Sequence, residues 1–108
     1  MGAAKAVTDT TFTLDVLQSR KPVVVDFWAE WCMPCRKVDK VLTDLAGTDL
    51  AERVTFVKVD IDANPHVTQK YQVRSVPTIT IFKGGEPVGS VTGTRPKSEL
   101  VRMIQSAL

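Results

Sequence analysis

The sequence predicts an α/β fold: one sheet covered by helices on both faces, with an antiparallel hairpin at one edge. Three observations carry this. Pro22 to Ala29, "PVVVDFWA", is a continuous apolar run rich in β-branched residues, the pattern of a central parallel strand buried on both sides. Segments of helical periodicity alternate with further strand-like runs, as β-α-β units require. Late in the chain Gly84-Gly85 separates two more such runs, a hairpin signal.

Taken in order, Lys5 to Thr8 is read as the first strand. "DTTFTLDVLQS", Asp9 to Ser19, reads as a short helix with a Thr cap and with Phe12, Val16 and Leu17 on one face. The Pro22–Ala29 strand follows. Next, Cys35, Val38, Leu42 and Leu45 recur at helical spacing, with Arg36, Lys37, Asp39, Lys40 and Asp44 on the other side. This amphipathic helix should end near Gly47 or run on into Asp49 to Arg53. Arg53 to Asp62, "RVTFVKVDID", is a strand. Asn64 to Tyr71 is a helix with Asn64 as its cap and Pro65 in its first position. Pro77–Lys83 and Glu86–Gly93 are the hairpin strands. "PKSELVRMIQSAL" closes the chain as a helix with Leu100, Val101, Ile104 and Leu108 on one face. The order is β-α-β-α-β-α-β-β-α.

A chain of 108 residues is one domain, 1–108, and buries roughly two-thirds of its unfolded surface, so it needs no disulfide or metal to fold. Its composition, 44% apolar and 24% charged, is that of a globular protein rather than a disordered one. The net charge of +2 comes from scattered basic residues, which argues against nucleic acid or an anionic membrane as partner. No apolar run approaches the roughly 18 residues of a membrane span. "MGAAKAVTDT" lacks the apolar segment of a secretory signal, and Ala6 stands where myristoylation wants Ser or Thr. The location expected is a reducing cytoplasm, provided no leader was removed.

Both cysteines lie in "DFWAEWCMPC". A pair three residues apart in a reducing compartment is seldom a structural staple. Helical positions at that spacing are neighbours, within the roughly 4.4–6.8 Å between Cα atoms that a disulfide needs. Cys32 falls at the end of the central strand, where open α/β sheets bind ligands. The free amides and dipole of the following helix favour a thiolate there, and Pro34 fits the first turn. Cys35, one turn in on the apolar face, should be shielded. Cys32 is then the attacker and Cys35 the resolving thiol. A zinc site or inert thiols are the alternatives; beyond the pair the chain offers only His66, so no metal is expected within the monomer, and a cluster held between two chains stays open.

On pattern alone Asp26 is either a structural acid at a strand end or a carboxyl whose pKa burial raises toward neutrality. Lys58 reads as a solvated lysine, Val76-Pro77 as a trans proline opening a strand, and Gly93 as a turn residue. Trp31 should border a groove; Trp28, Val67, Tyr71 and Phe82 read as core or support.

The set Asp26, Trp28, Trp31-Cys32-x-Pro34-Cys35, "FVKVDID", Val76-Pro77-Thr78, "FKGG" and a late Gly93-Thr94 resembles the thioredoxin family over nearly the whole chain. The resemblance implies that family's fold, a five-stranded mixed sheet with four helices. It also implies reduction of protein disulfides through Cys32 and Cys35, with no bound cofactor. Electrons would come from NADPH through a flavoprotein thioredoxin reductase, in the service of electron transport and cell redox homeostasis. Substrates would include proteins such as ribonucleotide reductase, peroxiredoxin and methionine sulfoxide reductase, met by a monomer. By the same resemblance Asp26 exchanges a proton with Cys35 and Lys58 approaches that acid. Pro77 would be cis, opposite the cysteines, and the Val76 backbone would pair with an extended substrate. Trp31, Met33, Pro34 and Gly93 would complete the groove.

Two residues depart from the family pattern. Met33 replaces the usual Gly, keeping the amide but adding a polarizable, oxidisable side chain. Lys40 replaces a helix-kinking proline found in many members, so the helix can run straighter. Within the same chemistry, exported oxidants and isomerases often carry His between the cysteines, and glutaredoxins enclose Pro-Tyr; neither matches Met33-Pro34. A docking module without turnover would have no use for a proton relay.

Overall fold

The computed structural model describes residues 4–108; the Met1-Gly2 start weighed above for lipidation lies outside them. Five strands form one sheet: β1 (Lys5–Ala6), β2 (Val23–Trp28), β3 (Thr55–Asp60), β4 (Thr78–Lys83) and β5 (Glu86–Thr92). Their spatial order is β1-β3-β2-β4-β5. β1, β3 and β2 run parallel, while β4 is antiparallel to both β2 and β5, which makes the sheet mixed. Helix α1 (Met33–Ala46), α2 (Pro65–Lys70) and α3 (Lys97–Gln105) cover it, together with a π-helical turn at Thr13–Leu17. Among the described residues no helix is long and apolar enough to cross a membrane.

Strand alternation sorts the core into two layers. Val24, Phe56, Ile79 and Ile81 pack against Val38, Leu42 and Leu45 of α1 and Leu100 and Ile104 of α3. Val23, Val25, Phe27, Val57, Val59 and Phe82 face the other way, onto Phe12, Val16 and Val67. There Phe12, Tyr71 and Phe82 form an aromatic trio with centroids 5.0 to 5.5 Å apart. β2 is buried along nearly its whole length, as its unbroken apolar run predicts.

The hairpin forms at Gly84-Gly85, both with positive φ (61° and 84°), a backbone that residues with a Cβ rarely adopt. Three local expectations change. The Asp9–Ser19 helix shrinks to the π-turn, closed by the Gln18 N–H donating to the Thr13 carbonyl at 2.9 Å, although Phe12 and Val16 are buried as predicted. Its Thr cap is not formed on the turn itself: Thr11 Oγ1 accepts from the Thr8 N–H at 3.0 Å. α1 does end where expected, at Ala46 with Gly47 as its cap, and Asp49–Glu52 is a separate 3₁₀ turn capped by Thr48. Finally, Asn64 does not cap α2. Its side chain donates to the Asp60 carbonyl at 3.0 Å and accepts from the Asp9 N–H at 2.9 Å. The Asp9 carboxylate supplies the cap instead, accepting from His66 N–H (3.1 Å) and Val67 N–H (2.9 Å).

Candidate active site

β2 ends at Trp28 and α1 begins at Met33, so Cys32 sits at the carboxyl end of a central strand as the residue that caps the helix. Its extended backbone (φ −90°, ψ 102°) turns the side chain back over the first turn. There Sγ accepts the Cys35 N–H at 3.2 Å. The two cysteines are joined in a disulfide, with Cα atoms 5.3 Å apart. Pro34 occupies the first turn, where its missing N–H leaves no gap in the helix ladder.

The shielding expected for Cys35 is found, but in this oxidised form Cys32 is shielded as well. Cys32 is 4% exposed and Cys35 3%. The S–S bond holds the Cys32 sulfur down on the helix end, and Ala29, Trp28, Ile61 and Val76 pack around the pair. What distinguishes the two is position: Cys32 receives an amide donor at the helix cap, while Cys35 lies on the buried face of α1. The exposed material is on the flanks, where Trp31 and Met33 are 66% and 68% exposed. The Trp31 indole N–H donates to Asp62 at 2.8 Å, which fixes the ring's direction. Asp62 was not singled out from sequence; nothing local in "DIDAN" announces a bond across 31 residues.

Asp26 lies behind the disulfide, 2% exposed, and its Oδ1 has no hydrogen-bond partner among the described residues. Burial, then the charge of Asp39, push its pKa up to about 7, while Lys58 pulls it down. Lys58 is paired with Asp26 in the β2–β3 register, so both side chains leave the same face of the sheet. The ammonium nevertheless lies over the Trp28 ring, 5.4 Å from its centroid. The two form no ion pair within 4.0 Å among the described residues.

A cleft of about 310 Å³ joins these groups; Asp26, Cys32 and Cys35 line it along with Trp28, Glu30, Arg36 and Asp39. Asp39 was placed on the polar side of α1 by its periodicity. Its position one helical turn beyond Cys35 is the signal that it shares a face with the buried thiol.

The Val76-Pro77 peptide is cis. Val76 packs against the cysteine cluster and Pro77 is buried. The Pro77 carbonyl accepts the Gly93 N–H at 2.8 Å, bringing Gly93 (φ +89°) beside the loop. The backbone N–H and carbonyl of Val76 bond to no other backbone group among the described residues. No group of three or more potential metal-ligating side chains occurs among those residues.

The family described as thioredoxin matches residues 3–106. A thioredoxin of Streptomyces clavuligerus is 48% identical over 101 residues, covering 94% of this chain and 92% of its own. A bifunctional thioredoxin reductase/thioredoxin of Mycobacterium leprae is 45% identical over 101 residues, 94% of this chain but 22% of the longer protein. The crystal structure of a Malassezia sympodialis thioredoxin superposes with a TM-score of 0.89 at 32% identity, covering 99% of this chain and 92% of that one.

Proposed function

This chain belongs to the thioredoxin family and is a dithiol–disulfide oxidoreductase that reduces protein disulfides; from that premise we propose how its residues divide the work. In the reduced protein Cys32 is the nucleophile. Its thiolate is stabilised at the start of α1, where the Cys35 amide is already aimed at the sulfur. It attacks one sulfur of a substrate disulfide, forming a Cys32–substrate bond and expelling the other substrate sulfur as a thiolate. Cys35 then gives its proton to Asp26 and attacks Cys32 Sγ. The mixed disulfide breaks, the Cys32–Cys35 bond forms, and the substrate leaves with two thiols.

Asp26 suits this task because a base works best when its pKa lies near the working pH, and its value of about 7 meets that condition. Lys58 modulates its charge from the adjacent strand. Trp31, Met33 and Pro34 on one side and Val76, Pro77 and Gly93 on the other hold an extended substrate segment. The Val76 backbone, bonded to no other backbone group among the described residues, supports pairing by strand addition.

The observation that carries this reading is the disulfide across a helix's first turn with, behind it, a buried acid whose Oδ1 has no hydrogen-bond partner among the described residues. Re-reduction falls to a thioredoxin reductase, a pairing supported by the Mycobacterium leprae relative that carries both names in one chain. In this reading the reductase is a flavoprotein drawing on NADPH. The protein works as a cytoplasmic monomer in redox homeostasis, on substrates such as ribonucleotide reductase, peroxiredoxin and methionine sulfoxide reductase. Insulin reduction with dithiothreitol tests the core of it. Wild type should accelerate precipitation and Cys32→Ser should match the blank; a wild type no faster than blank overturns the reading in favour of docking without turnover.

A further inference from the structure

The cleft behind the disulfide holds a second acid that the scheme above does not use. Asp39 stands four residues after Cys35 on α1, so its side chain leaves the helix on the side that faces β2. It lines the cleft together with Asp26 and Cys35. Unlike Asp26 it is only half-buried, and so touches both the cleft and solvent. It makes no ion pair or side-chain hydrogen bond among the described residues, although Arg36 lines the same cleft three positions earlier. A helix-surface acid kept for stability would be expected to take that arginine.

We propose that Asp39 is the outer member of a carboxyl pair with Asp26, and that this pair, rather than Asp26 alone, passes the proton between Cys35 and solvent. The inference rests on the reading of Asp26 as the base for Cys35. In the resolving step the Cys35 S–H proton moves to the Asp26 carboxylate. The Cys35 thiolate displaces the substrate sulfur from Cys32, and the departing thiolate takes up a proton. The proton on Asp26 moves to Asp39 and from there to solvent, which restores both carboxylates without any change in electron count. Asp26 itself is only 2% exposed, so it meets little solvent directly.

The surrounding charges agree with this assignment. From β3 Lys58 acts on Asp26 in the opposite direction to Asp39, β4 presents only Ile79 opposite Asp26, and Glu30 and Arg36 complete the ionisable lining. After burial, Asp39 is the largest influence raising Asp26, and it keeps the inner acid a competent base in the neutral range. Asp39 is thus a positioning residue, acting on Cys35 through Asp26.

The test mixes the reduced protein with an aromatic bis(nitrobenzoate) disulfide and follows the coloured thiolate by stopped flow. The first release reports Cys32 attack and the second reports Cys35 resolution. In Asp39→Asn the first phase should match wild type, and the second should slow about threefold at pH 7. The carboxyl-carbon NMR titration of Asp26 should move down by roughly half a pH unit. Asp39→Glu should restore both. An Asp39→Asn protein with wild-type second phase and wild-type Asp26 titration overturns the pair. Asp26→Asn separates the two ideas. A second phase slowed at least about tenfold there upholds Asp26 as base whatever Asp39 does, and a second phase at wild-type rate removes the base reading and the pair with it.

Discussion

Helices α1 and α2 both have a proline in the first turn and an aspartate from an earlier stretch of the chain beside that turn. At α2 the Asp9 carboxylate reaches the helix end and takes two free amides, at 2.9 and 3.1 Å. At α1 the amide belongs to a sulfur: the Cys35 N–H donates to Cys32. The aspartate there, Asp26, is held back from the helix end and buried with an oxygen unpartnered. The same unsatisfied amides hold a tertiary contact in one place and, in the proposed mechanism, ready a nucleophile in the other. A charge that is well satisfied stabilises; one left partly unsatisfied is available to react.

The sharpest way to separate the two helix starts is Cys32→Ser. Serine also caps a helix, so the variant should match the stability of the reduced wild type to within about 1 kcal/mol while losing all disulfide reductase activity. Urea unfolding beside the insulin assay checks both halves.

Asp26→Ala comes next. The folded-state pKa of Asp26 is raised from 3.8 to about 7, so between those values the folded protein holds a proton that the unfolded chain has lost. Wild-type stability should therefore fall, relative to the variant, as pH rises from 4 to 7, and stay level above. The difference should reach about 4 kcal/mol in urea titrations at stepped pH. A flat difference would mean that Asp26 is not desolvated.

Asp9→Ala should act in the opposite sense, costing about 1–2 kcal/mol at neutral pH through the lost cap while leaving insulin reduction within a factor of two. Loss of activity there would show that α2 positions the cysteine loop after all. The smallest effect is expected for Met33→Gly, which keeps the amide and removes an exposed side chain. Stability should change by less than about 1 kcal/mol, and KM for a protein disulfide should rise about threefold with kcat unchanged.

How legible this was in the sequence depends on the range of each interaction. The apolar run of β2, the buried face of α1 through Cys35, Val38, Leu42 and Leu45, and the Gly84-Gly85 turn all rest on neighbours within a few residues. Each was readable. Asn64 looked like the cap of α2 because caps are local in most helices, yet the carboxylate that does the capping comes from 57 residues away. Trp31 was placed at the groove, but its Asp62 partner lies 31 residues on, beyond any local pattern. The cysteines' roles rest on chain position, whereas their near-equal burial goes with the packing of Ala29, Trp28, Ile61 and Val76 around the bonded pair. Asp39 carried a readable signal, its spacing from Cys35, but charge on the polar side of a helix has too many ordinary explanations to stand out.

By itself the sequence determined the order of strands and helices, the residues of the core, and the cysteine pair at a strand-to-helix junction. Periodicity and turn chemistry are local properties, written in adjacent residues. It took the packed chain to enclose Asp26 with Oδ1 unpartnered among the described residues, to turn the charge of Lys58 over Trp28, and to bring Asp39 into the cleft that Asp26 lines. Those facts set the proton affinity of the site. They depend on which elements pack together and how much water is excluded between them, and solvation of a buried charge is a property of the assembled core.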